Sequence, residues 1–222
     1  MTKAVIFDFD GLILDTETAW FDAYKHVLQK EFQFELLLDD FSKSVGSDIS
    51  ILFSFLEQKL GKELDQPYIN EQASTIHTET IKDLDAREGV KEFLDTAKEL
   101  NLKIALCSSS HYAWVHKHLN HLNLYDYFDY FITQDDVSKI KPDPELYLKT
   151  LDTLDIKPSE AIVFEDSLNG LLSAQQANIP VVLVPNPVTK HIPFENYFLK
   201  LNSMKDKNLT DIINMVSQTT QK

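Results

Sequence analysis

Short runs of apolar, often β-branched residues recur along this chain, and no other feature constrains its fold as much. They fall at 4–7, 104–107, 130–133, 162–164 and 181–184, with a weaker sixth at 197–201. Within each run the apolar character is nearly unbroken rather than alternating, as a strand covered on both faces requires. Helical patterns lie between the runs. Val90, Phe93, Leu94 and Ala97 keep a helical period that Asn101 can close, and Ser167 stands where a helix carrying Leu168, Leu171 and Leu172 needs an N-cap. Strands alternating with helices predict a doubly wound α/β fold with a parallel, Rossmann-like sheet.

The alternation breaks once. Between Phe9 and Ile104 no strand run occurs, and helical stripes fill the gap. Trp20, Phe21, Tyr24, Val27 and Leu28 form one; Ile49, Leu52, Phe53, Leu56 and Leu60, stopped by Gly61, form another; a less regular pattern runs over about 67–82. So long a stretch needs structure of its own. The expectation is a helical cap domain inserted over 16–83, with 1–15 and 84–222 forming the core domain.

Reactive side chains gather where four of the runs end or a following helix begins. Asp8 and Asp10 follow the first, and Ser108-Ser109-Ser110 follows the second. Lys141 sits in Lys139-Ile140-Lys141-Pro142-Asp143-Pro144, and Glu165-Asp166-Ser167 follows the run at 162–164. Each has an ordinary structural reading: a loop Asp-x-Asp, a polar turn, a surface lysine, acids complementing a helix dipole. Jointly they suggest more, because open α/β sheets bind ligands at the carboxyl ends of their strands. Two carboxylates about 4 Å apart repel by roughly 4 kcal/mol at an effective dielectric of 20, and a divalent cation is the usual compensation. A hydroxyl beside free N–H groups suits a phosphate oxygen, and a fixed ammonium can neutralise phosphate and carboxylate together.

The overall charge sharpens this. Thirty-five acids against twenty-one bases leave a net −14. A field of that sign repels nucleic acid, anionic membrane and phosphorylated metabolites alike, so a phosphate site here must reverse the sign locally. The single cysteine, Cys107, allows no intrachain disulfide and reads as core. The first residues lack a signal-peptide core, and no apolar run approaches the ~20 residues of a membrane helix. The expectation is a cytoplasmic protein, monomer or weak dimer, without nucleic-acid or membrane partners. His116, His118 and His121 lack the i, i+4 pairing of a helical zinc site and read as a solvated helix face.

The joint pattern resembles the haloacid dehalogenase superfamily of aspartate-nucleophile phosphohydrolases. It is carried by Asp8-Phe9-Asp10-Gly11-Leu12-Ile13-Leu14-Asp15-Thr16-Glu17, then Ser108, then Lys141-Pro142-Asp143-Pro144, then Glu165-Asp166-Ser167-Leu168-Asn169-Gly170, and spans essentially the whole chain. Within the superfamily the chain is most similar to the β-phosphoglucomutase-like phosphatases, with the insert resembling their small helical cap. The resemblance implies that Asp8 attacks phosphorus and forms an aspartyl phosphate, and that Asp10 protonates the leaving oxygen and then deprotonates water. It implies that Ser108 holds a phosphoryl oxygen and that Lys141 bridges phosphate and nucleophile. Mg²⁺ would sit on Asp8, the Asp10 carbonyl oxygen and Asp166, with Glu165 an additional or water-mediated ligand. Ser109, Trp20, Gly46 and Ser47 would contact substrate.

Three departures bear on the activity. Glu145 replaces the aspartate that often ends the lysine motif. Trp20 stands where the mutase has a histidine, and the cap loop reads Val45-Gly46-Ser47-Asp48-Ile49, without the mutase's arginine. Both cap changes remove groups that would grip a second phosphate. The implied function is therefore a Mg²⁺-dependent phosphatase of a small, sugar-phosphate-like metabolite, with a phosphomutase as the alternative. A phosphorylated receiver-like module would lack the insert and Asp10, and haloacid dehalogenation would need neither metal nor a leaving-group acid.

Overall fold

The structure is a computed structural model and describes residues 1–42, 45 and 49–219. Six parallel strands form one sheet: β1 (Ala4–Phe7), β2 (Lys103–Cys107), β3 (Tyr130–Ile132), β4 (Ala161–Glu165), β5 (Val181–Leu183) and β6 (Leu199–Lys200). They lie in the order β3-β2-β1-β4-β5-β6. Each falls on or within a residue of an apolar run, including the weak sixth. β1 is central, with Phe7 opposite Leu106 of β2 on one side and Phe164 of β4 on the other. The chain winds from β1 toward β3 and then crosses to build β4–β6. The crevice at this reversal opens at the carboxyl ends of β1 and β4.

Unbroken apolar strands follow from cover on both faces. Val5, Phe7, Ile104, Leu106, Ile162 and Phe164 pack with α5 (Val90–Glu99), α6 (Tyr112–His121) and α9 (Leu209–Thr219). The alternate residues Ala4, Ile6, Ala105, Cys107, Ala161 and Val163 pack with α7 (Glu145–Leu154) and α8 (Leu168–Gln176) on the opposite face. Ser167 caps α8 as expected, its Oγ accepting from the Gly170 N–H at 3.1 Å.

Between β1 and α5 the described residues form four helices: α1 (Thr16–Phe32), α2 (Leu38–Phe41), α3 (Ser50–Leu60) and α4 (Gln66–Ile81). They share an apolar cluster of their own, with Tyr24, Leu28, Phe53, Leu56 and Ile69 at its centre. Gly61 ends α3 in the left-handed conformation, φ 66°. Gly46, Ser47 and Asp48 lie outside the described residues. Among the described residues no helix is long and apolar enough to cross a membrane.

His118 does not lie on a solvated face: it is only 4% exposed. Val115, His118 and Leu119 form the i, i+3, i+4 stripe by which α6 meets the core, and the His118 ring lies 4.2 Å from that of Trp114. Trp114 in turn meets His77 of α4 at 6.0 Å between centroids, and His77 stacks on Trp20 with centroids 3.9 Å apart. Burial pushes the His77 imidazole down to about 4, a backbone hydrogen bond at Thr16 opposing the shift. A neutral His77 thus joins insert to core between two indoles.

Candidate active site

β1 delivers Asp8 to the floor of a cavity of about 880 Å³ at the carboxyl edge of the sheet. The cavity is lined by Asp8, Asp10, Ser108, Ser109, Lys141 and Asp166 from the core and by Glu17, Trp20 and Val45 from the insert. Asp8 is 7% exposed, and its Oδ1 accepts from Lys141 Nζ at 2.8 Å. The same ammonium donates to the Cys107 carbonyl at 2.8 Å and to Glu165 Oε1 at 2.7 Å, which uses all three of its protons. Burial opposes the charge on Lys141, but Asp8 and Glu165 outweigh it and raise the pKa well above that of an ordinary lysine. This lysine is a fixed cation.

Glu165 is wholly buried beneath the start of α8. Its Oε1 also accepts from Tyr147 Oη at 2.5 Å, and Oε2 accepts from the Asp166 N–H at 3.2 Å and Ser167 Oγ at 3.3 Å. A β-carbon on Gly170 would come within 1.9 Å of the Glu165 carboxyl carbon, so this tuck requires glycine.

Asp8, Glu165 and Asp166 offer carboxylate oxygens within 4.8 Å of one another, a cluster that could hold a metal ion. The three carboxylates and one ammonium sum to −2, the charge that one divalent cation cancels. Without it the group is strained. Burial, then Glu165, push the Asp8 carboxyl up to about 7, although Lys141 pulls the other way. Burial, then Asp8 and Glu165, raise Asp166 well above the carboxylate range. Asp166 Oδ1 is buried without a partner, so one hard oxygen ligand stands ready.

Asp10 belongs to a different set of contacts. Its Oδ1 accepts from Thr16 Oγ1 at 3.1 Å and Trp114 Nε1 at 3.0 Å, and its Oδ2 accepts from Ser110 Oγ at 2.6 Å. The carboxylate is thereby kept apart from the acid cluster and tied to both insert and core. Ser108, 1% exposed, accepts the Ser110 N–H on its Oγ at 3.0 Å and keeps its own hydroxyl proton free to donate. Ser109 Oγ is buried and unpartnered. Trp20 reaches the cavity with one face taken by His77. The structure thus brings together Asp8, Asp10, Ser108, Ser109, Lys141, Glu165, Asp166 and Trp20. The expected contacts at Gly46 and Ser47 fall outside the described residues.

Four residues at this site carry no local signal. Tyr147, Trp114, Arg87 and Asn186 lie far in sequence from the groups they touch. Glu17 lines the cavity, and among the described residues its carboxyl has no hydrogen-bond partner; burial and then Asp10 and Asp15 push it up to about 8. It stands within the quoted first motif, yet its residue type alone assigns it nothing.

A buried lysine holding an aspartate at the end of the central strand, beside an acid pair and a serine turn, defines a phosphohydrolase-type site on a doubly wound sheet. The chain belongs to the haloacid dehalogenase-like hydrolase family, whose pattern matches residues 5–184. It is 40% identical over 94% of its length to "Putative phosphatase YhcW" of Bacillus subtilis (strain 168), covering 95% of that protein. It is 34% identical over 80% of its length to the "Phosphorylated carbohydrates phosphatase" of Thermotoga maritima, covering 82% of that chain. A crystal structure of β-phosphoglucomutase from Clostridium difficile shares the fold, with a TM-score of 0.78, 23% identity and full coverage of both chains.

Proposed function

We propose that this protein is a Mg²⁺-dependent phosphatase that hydrolyses a small, sugar-phosphate-like monoester through an aspartyl phosphate on Asp8. The observation that carries the reading is the buried Lys141, whose ammonium holds both Asp8 and Glu165 at the floor of the cavity. A nucleophile must be fixed in line, and phosphoryl transfer depends chiefly on positioning and charge neutralisation. Asp8 attacks phosphorus, the ester P–O bond breaks, and Asp10 gives its proton to the leaving oxygen. Asp10 then takes a proton from water, which attacks phosphorus and releases Asp8. Ser108 and Ser109 donate to phosphoryl oxygens, and Lys141 neutralises charge on both phosphate and nucleophile.

The residues present fit a Mg²⁺ ion. Asp8 and Asp166 would supply carboxylate oxygens and the Asp10 carbonyl a further protein oxygen, and the ion would polarise the phosphoryl group and cancel the −2 of the cluster. Glu165 has both oxygens engaged by Lys141, Tyr147, Asp166 and Ser167, so its part is to hold the lysine rather than to ligate directly. Residues 16–83 act as a cap over this site, with 1–15 and 84–222 the catalytic core. Trp20 lines the cavity and faces the leaving group. The uncharged Trp20 supports hydrolysis over mutase chemistry, because it offers no cation to hold a second phosphate.

The test is a screen of phosphorylated sugars and other small monophosphates, run with Mg²⁺ and with EDTA. Inorganic phosphate should be released from at least one of them, EDTA should abolish the release, and Mg²⁺ should restore it. Ca²⁺, which tolerates looser and higher coordination, should support turnover poorly. Full turnover in the chelated protein would refute the reading.

A further inference from the structure

The loop after β5 carries a buried amide that the reaction outlined above does not use. Asn186 is 1% exposed, and its side chain is held at both ends. Its Oδ1 accepts the N–H groups of Val188 and Thr189, at 2.9 and 3.0 Å, which fixes the orientation of the amide. Its own N–H donates to Thr189 Oγ1 at 3.0 Å. The remaining end, Nδ2, donates to Asp166 Oδ2 at 2.7 Å. The two oxygens of Asp166 are thus unequal: Oδ2 is engaged by Asn186, while Oδ1 is buried and unpartnered in the cluster with Asp8 and Glu165.

The surroundings preserve this arrangement. A β-carbon on Gly11 would lie 2.2 Å from Asp166 Oδ2 and 2.7 Å from Asn186 Nδ2, and Gly11 has φ +76°. Arg87 donates to the Gly11 carbonyl and to those of Val184 and Pro185, the latter two at 2.9 and 2.8 Å. One guanidinium therefore ties the loop after β1 to the loop after β5, and so holds Asn186 against Asp166.

We infer that Asn186 is a positioning residue for the divalent cation, fixing Asp166 so that Oδ1 alone is presented to the metal. The inference rests on the reading of Asp166 as a metal ligand. A carboxylate whose rotation is already restricted loses less freedom when it binds, and outer-shell partners of this kind typically change metal affinity by about 10–100-fold.

The experiment measures Mg²⁺ binding to the metal-free protein by titration calorimetry, together with the rise in melting temperature that Mg²⁺ produces. Asn186→Ser is the principal variant, because a serine hydroxyl can still accept a loop N–H but stops short of Asp166. Asn186→Ala is the second variant, and Thr189→Ala is the control that loosens the loop without removing the donor. Circular dichroism verifies that each is folded. Both Asn186 variants should bind Mg²⁺ about 10–100-fold more weakly than wild type and show a smaller Mg²⁺-induced rise in melting temperature. Thr189→Ala should stay within threefold. A lowered metal-free melting temperature with Mg²⁺ affinity unchanged would make Asn186 purely structural and overturn the inference. Wild type that binds no Mg²⁺ would instead overturn the reading of the carboxylate cluster, and this inference with it.

Discussion

Asp8→Asn should lower turnover by at least about 10⁴-fold, the scale on which removal of a covalent nucleophile acts. The substitution is isosteric and keeps an oxygen for the Lys141 ammonium, so the cavity should not change shape. The stability effect should run opposite to the activity effect. In the metal-free protein Asp8 is one of three buried carboxylates served by one ammonium, and burial together with Glu165 pushes it up to about 7. Neutralising it removes repulsion, so metal-free Asp8→Asn should melt at or above the wild-type temperature. Loss of activity in a protein at least as stable as wild type separates chemistry from folding. A residual rate within a hundredfold of wild type would remove Asp8 from the nucleophile's role.

Lys141→Met should act on both rate and stability. The ammonium is the shared partner of Asp8, Glu165 and the Cys107 carbonyl. Its removal should lower kcat by about 10²–10³-fold, as the loss of one preorganised electrostatic group does. It also leaves two buried carboxylates without their cation, and breaking a buried ion pair from one side costs on the order of 3–5 kcal/mol. The pH dependence has a definite sign. A carboxyl with its folded pKa raised to about 7 keeps a proton that the unfolded chain releases. The metal-free protein therefore loses stability as pH rises from about 4 through 7. Without Lys141 that loss should be larger and reach higher pH. Melting curves in EDTA across this range, with kcat at saturating Mg²⁺, check both parts. A rate change under tenfold with an unchanged melting profile would reduce the lysine to a bystander.

The strands were legible because a strand buried on both faces must be apolar at every position, and few other structures require that of so short a segment. Even the weak run at 197–201 became β6, an edge strand of two residues. Helices α1 and α3 were legible from the stripes Trp20–Leu28 and Ile49–Leu60, the C-terminus of α3 from Gly61 and the N-terminus of α8 from Ser167. The groups that line the cavity stood out because acids and a lysine at strand ends are costly unless they converge.

What could not be read was each group's partner. Lys141 gives no local sign that Glu165 and the Cys107 carbonyl share its ammonium with Asp8. The role of Asn186 depends on a loop 20 residues from Asp166, and that of Trp114 on an indole N–H meeting Asp10 across the sheet edge. His118 looked solvated because histidine is polar, yet its place beside Val115 and Leu119 turns it inward.

If phosphate passes through Asp8, the acyl phosphate can be trapped on that residue. Protein mixed with a substrate identified in the screen is quenched with borohydride during steady turnover, which reduces an acyl phosphate to the alcohol. Peptide mass spectrometry should then find homoserine at position 8, dependent on substrate and Mg²⁺ and absent from Asp8→Asn. Homoserine at another aspartate, or ongoing phosphate release with none at position 8, would show that phosphate does not pass through Asp8.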